Sequence, residues 1–132
     1  MLIKAEQRYI RMSPMKIRKV ADAVRGIDSP ARVIEYLQFA NRRASIPLSK
    51  AMKQAVANAK NNMKLSEYNL VVREIQIGEG PRYKRFRAGS RGMAKPIIKR
   101  TSHIRVVLET KIQENPKSEA RNSKQIENSK LK

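Results

Sequence analysis

Residues 80–108 read GPRYKRFRAGSRGMAKPIIKRTSHIRVVL, and this stretch decides the architecture. It carries Arg82, Lys84, Arg85, Arg87, Arg91, Lys95, Lys99, Arg100 and Arg105, with no Asp or Glu. Gly89-Ser90-Arg91-Gly92 has the composition of a turn, so the segment reads as two strands folded back on each other. Side chains alternate along a strand, which sends Arg82 and Lys84 one way and Arg85 and Arg87 the other. A ribbon charged on both faces has no side to lay on its own apolar core. From Gly80 to the turn is about ten residues, and at roughly 3.3 Å each the arm projects on the order of 30 Å. That is too long for an ordinary hairpin loop. Such an arm is stable in one shape when a polyanion surrounds it, which is the footprint of nucleic-acid binding.

The return strand ends in His103-Ile104-Arg105-Val106-Val107-Leu108 and can pair with the β-branched run Leu70 to Ile77. Gly78-Glu79-Gly80-Pro81 breaks or bulges that run where the arm begins. Leu2 to Met12 reads as a short strand. Ser13-Pro14 and Ser29-Pro30 both read as helix starts, Ser as N-cap and Pro at the first helical position. Ile17, Val20, Ala21 and Val24 form the first apolar stripe, with Gly26 placed as its stop. Val33, Ile34, Leu37 and Ala40 form the second, ending near Asn41. A third helix opens at or just before Ser45, tolerates Pro47 in its first turn, and ends near Asn61-Asn62. The expected fold is therefore α+β: three helices on a small three-stranded antiparallel sheet, with a long protruding basic hairpin at about 79–104. Residues 1–110 form one domain in this reading, and the Lys-, Asn-, Ser- and Glu-rich residues 111–132 form a disordered tail.

The chain has 132 residues, a formal charge of +19 and 40% apolar residues. That suits one domain with an attachment, and it makes an anionic partner the leading expectation. Cysteine is absent, which removes disulfides, thiolate metal sites and a Cys nucleophile. No apolar run reaches the roughly 18 residues of a spanning helix, and Met1 to Glu6 has no signal-peptide or transit character. Nucleic acid is the first candidate partner and an anionic membrane surface the second, but the arm lacks the helical amphipathicity of membrane-surface binding, so no membrane partner is expected.

Within the arm, Tyr83, Phe86, Pro96, Ile97 and Ile98 stand among the cations, a mixture suited to stacking on bases and packing on sugars. A second basic patch comprises Arg8, Arg11, Lys16, Arg18, Lys19 and Arg25, with Lys16 and Lys19 opposite the first apolar stripe. Arg42, Arg43, Lys50 and Lys53 form a third cluster. Met12, Met15, Met52 and Met63 read as core or gap filler. His103 is the single histidine, and no nucleophile–base–orienter set can be drawn around it or Ser102. A phosphate or 2′-hydroxyl contact, or a plain strand position, suits it better. No cluster has metal-ligand spacing and no glycine pattern cradles a nucleotide, so neither an enzyme, a cofactor nor a metal is expected.

Several strings together carry a resemblance. Ser13-Pro14-Met15-Lys16-Ile17-Arg18-Lys19-Val20-Ala21-Asp22 resembles the first helix of large-subunit ribosomal protein family twenty-two. Ala55 to Asn62 is similar to the end of that family's long helix. Gly80-Pro81 with Lys84-Arg85, and Lys99-Arg100-Thr101-Ser102-His103-Ile104, resemble the two roots of its hairpin. The likeness runs from about Tyr9 to Leu108. It implies a structural constituent of the large ribosomal subunit, binding its ribosomal RNA and located in the cytoplasm of a bacterium or in a plastid stroma. It implies a globular part near the exit of the peptide tunnel, a hairpin lining the tunnel wall, and a contribution to subunit assembly. Neighbouring ribosomal proteins and the passing nascent peptide are the further partners implied, with no homo-oligomer. Carried onto this chain, the RNA-binding positions are Arg82, Tyr83, Lys84, Arg85, Phe86, Arg87, Arg91, Lys95, Lys99, Arg100, Thr101, Ser102 and His103, joined by the second basic patch. The tip departs from the family pattern: Ala88-Gly89-Ser90 and Arg91-Gly92-Met93-Ala94 lack its proline and rearrange its arginines. The rival reading is an architectural DNA-binding protein with a basic β-arm.

Overall fold

The computed structural model describes residues 1–66 and 69–111. Strand β1 (Leu2–Ile10) leads into helices α1 (Pro14–Val24), α2 (Pro30–Phe39) and α3 (Ser45–Met63). Strand β2 (Leu70–Ala88), a short 3₁₀ turn (Ser90–Gly92) and strand β3 (Ala94–Thr110) follow. The three strands form one antiparallel sheet in the order β1-β3-β2. The α+β class expected from the sequence is the one observed.

The core lies between one face of the sheet and the helices. Ile17, Val20, Ala21 and Val24 of α1 are buried, as are Val33 and Leu37 of α2. Along α3, Ala51, Ala55 and Ala59 are fully buried at a spacing of four, with Leu48 and Met52 beside them. These small side chains let the helix backbone lie close to the strands, whose contribution is Ile3, Ala5, Leu70, Ile75, Ile77, Ile104, Val106 and Leu108. Both Ser-Pro starts are real starts, with Pro14 and Pro30 at the first turn. Neither serine side chain makes a capping bond. Gly26 follows the end of α1, but its φ is not positive; the stop is a tight turn in which Ile27 N–H donates to Val24 O at 3.1 Å. Lys64 takes the left-handed position past α3 instead (φ 52°).

Strand β2 runs on past Ile77, where the sequence suggested a break or a bulge, because β3 pairs with it down to Ala88↔Ala94. Two register shifts, between Val72 and Glu74 and between Glu79 and Arg82, each place one extra residue on β2. The first explains why Leu70 and Ile75 both face the core although they differ in parity. The second falls on Gly80-Pro81, where a bulge was expected. Of the tail expected at 111–132, residues 112–132 lie outside the described residues. Lys111 itself is tied down, its N–H donating to Asn69 O at 2.7 Å.

Candidate nucleic-acid interface

The hairpin register sorts the arm into two faces. Tyr83 opposes Lys99, Arg85 opposes Ile97 and Arg87 opposes Lys95, so these six share one face. Arg82 opposes Arg100, Lys84 opposes Ile98 and Phe86 opposes Pro96, and these six share the other. Each face therefore holds at least three cations, and every one of these cations is exposed. Phe86 is 74% exposed beside Pro96 and Ile98, an apolar spot ringed by charge. At the tip, Arg91 (φ 56°) and Gly92 (φ 68°) reverse the chain, and Gly89 N–H donates to Met93 O at 2.7 Å. Arg91 is a non-glycine residue in the left-handed region, which displays its side chain outward at some conformational cost.

Among the described residues, Arg82 is the one cation of the arm in an ion pair, 2.6 Å from the Glu79 carboxylate. That hydrogen bond, with the charge of Arg82 behind it, holds the Glu79 carboxyl below the ordinary carboxylate range. Lys84, Arg85, Arg87, Arg91, Lys95, Lys99 and Arg100 make no such pair. Arg85 instead lies over the ring of Tyr83 at 6.0 Å and donates to Lys84 O.

The root of the arm differs from expectation. Thr101 and Ser102, both assigned to the RNA surface by the sequence, are buried. Ser102 is in phase with Ile104, Val106 and Leu108 on the core face, and its Oγ has no partner among the described residues. Thr101 is covered by the bulge, and its Oγ1 donates to Pro81 O at 2.7 Å. The Thr101 hydroxyl thus fastens the root, and the Ser102 hydroxyl lies within it. His103 is half-buried and accepts, at Nδ1, the N–H of Tyr9 at 3.1 Å. That bond requires Nδ1 to be unprotonated.

The body contributes a cleft of about 1190 Å³ between β1, the helices and the arm's root. It forms where β1 parts from β3. Their pairing ends at Ile10↔Ser102, leaving the edge of β3 beyond it without a strand on that side. Arg11, Lys16 and Lys19 line it from one wall, Arg42 and Arg43 from the α2–α3 connection, and Arg85, Lys99 and Arg100 from the arm. Three clusters that lie far apart in the sequence thus meet in one concavity, and among the described residues no carboxylate lines it. Arg8, Arg18 and Arg25 are not among its walls. Arg8 pairs with Glu6 at 2.9 Å and Arg25 with Asp22 at 2.7 Å. Arg18 is half-buried and donates to Ile77 O, bracing α1 on β2. Met15, read as filler, is 63% exposed. Tyr9, read only as a strand residue, sits at a register shift with φ 58° and lines the cleft.

Residues 5–109 match the family described as Ribosomal protein L22p/L17e. The chain is 47% identical over 108 residues to the "Large ribosomal subunit protein uL22" of Lactobacillus gasseri, and equally to that of Lactobacillus johnsonii. It is 45% identical to the protein of that name from Lactobacillus helveticus. In each case the match covers 82% of this chain and 92% of the relative.

Proposed function

Since this chain belongs to the Ribosomal protein L22p/L17e family, we propose that it works as a structural, non-enzymatic constituent of the large ribosomal subunit, bound to ribosomal RNA and to neighbouring ribosomal proteins. Its place is the ribosome, in the bacterial cytoplasm. The finer reading is that the β2–β3 arm reaches inward between RNA segments and lines the nascent-peptide exit tunnel, where it meets the passing peptide. The globular part then sits near the tunnel exit, and the arm supports subunit assembly.

One observation carries this reading: the arm is cationic on both faces and, apart from Arg82, pairs none of those charges with a carboxylate among the described residues. Phosphates crowded around such an arm are neutralised from two sides, and condensed counterions leave as they are. Phosphate contacts and stacking set the position, without a base code. Residues 80–100 reach this role through the exposed cations and through Tyr83, Phe86 and Ile98. Thr101 and Ser102 serve by fixing the root.

The test is co-sedimentation of the full chain with large subunits in high salt. The wild type should remain in the particle. A variant with Arg85→Glu, Arg87→Glu, Lys95→Glu and Lys99→Glu should be lost from it. Retention of that variant at the wild-type level would overturn the reading. Equal affinity for duplex DNA and ribosomal RNA at matched salt would favour the architectural DNA-binding alternative.

A further inference from the structure

The cleft at the arm's root holds two features that charge neutralisation alone does not use. Tyr9 is 62% exposed although it lies in a strand, and its backbone is left-handed, a conformation costly for a residue with a Cβ. His103 holds it there twice over, accepting the Tyr9 N–H at Nδ1 and meeting the Tyr9 ring edge-on at 5.0 Å. A strained backbone kept in place by a specific partner marks a side chain whose display matters. Tyr83 reaches the same cleft from the arm and is 45% exposed.

We propose that this cleft seats an unpaired segment of RNA, with Tyr9 and Tyr83 as stacking platforms for bases and Lys16, Arg42, Arg43 and Lys99 holding the backbone. The inference rests on the ribosomal reading above and specifies what one part of the surface takes. Single strands are gripped by a cationic groove with aromatic faces, because an unpaired base has a free π-surface and a stacked, paired base has none. The volume of about 1190 Å³ exceeds that of a drug-sized pocket and leaves room for more than one nucleotide. Among the described residues no carboxylate lines the cleft to repel a phosphate. The open edge of β3 beside Ser102 leaves backbone groups free to bond the strand as well. The arm beyond residue 85 and the cleft then divide the work: the arm packs among RNA segments by charge, and the cleft captures a single-stranded stretch at its base.

The experiment uses the full chain, a labelled single-stranded RNA of ~8 nucleotides, within the site sizes known for such grooves, and the same strand annealed to its complement. Fluorescence anisotropy at matched salt should show tighter binding of the single strand. Tyr83→Ala and Tyr9→Ala should each weaken it by about fivefold to a hundredfold, the range of one lost stacking platform. Tyr9→Phe should keep it, and circular dichroism on each variant reports folding, with Tyr83→Ala deciding should Tyr9→Ala not fold. Equal binding of duplex and single strand, or folded alanine variants that bind as the wild type does, would overturn the proposal. If that happens while the wild type still stays in high-salt subunits, only the cleft's role fails. If the wild type washes out of the subunits too, the ribosomal reading fails with it.

Discussion

A Cβ at Gly80 would lie 2.5 Å from Thr101 Oγ1 and 3.2 Å from the Thr101 carbonyl carbon. Gly80 and Thr101 are thus the tightest joint of the arm, where the second bulge of β2 closes on β3. The close approach lets Thr101 donate to Pro81 O and keeps the root in one register. Gly80→Ala should therefore destabilise the protein by about 1–3 kcal/mol, the usual cost of forcing extra volume into a packed site. Urea unfolding measures this directly. Gly78→Ala is the control, since a Cβ there would meet only His103 Cβ at 3.8 Å.

Glu79 holds Arg82 away from an external anion. Glu79→Gln should release it, strengthening binding to large-subunit ribosomal RNA and steepening the dependence of log K on log salt by roughly 0.7–0.9, the increment of one added phosphate contact. Because the folded Glu79 carboxyl titrates below its ordinary range, the pair adds stability above the unfolded carboxylate pKa. That stability disappears as pH falls through the lower, folded value. Both side chains are about half exposed, so thermal stability near neutrality should hardly change while RNA binding does.

Lys64 closes α3 in the left-handed region, and Leu65 N–H reaches back to Ala59 O at 3.3 Å. Glycine adopts that conformation without a Cβ penalty. Lys64→Gly should stabilise the fold by about 1 kcal/mol, and Lys64→Ala should not. A calorimetric melting series checks the difference.

Ile104 stands at the centre of the core, fully buried on β3 between Gln7 of β1 and Ile77 of β2. Ile104→Ala should cost about 2–5 kcal/mol, measurable by chemical unfolding. Ile98→Ala, on the exposed arm, should cost little.

What the sequence disclosed follows a physical division. Signals that act locally were legible: Ser13-Pro14 and Ser29-Pro30 as helix starts, Gly80-Pro81 as a bulge, residues 89–92 as the turn. The charge of the arm was legible because alternation needs only a strand. Relationships that depend on register were not. An added residue after Val72 reverses parity along β2, and covering by the bulge buries Thr101 although it alternates with Arg100 and Ser102. The cleft was hidden for a different reason, since Arg11, Arg42 and Lys99 meet only once three elements have packed. Tyr9 gave no local hint, because the partner that its left-handed backbone meets is His103, 94 residues away in the chain.

An arm charged on both faces must meet RNA from both sides. A photo-reactive amino acid placed at Lys84 in one preparation and at Arg87 in another, each assembled into large subunits and irradiated, tests this face by face. The arm's register puts these positions on opposite faces. Adducts to ribosomal RNA from both positions are the predicted result. Adducts from only one position, with the other joined to the protein's own helices, would contradict it.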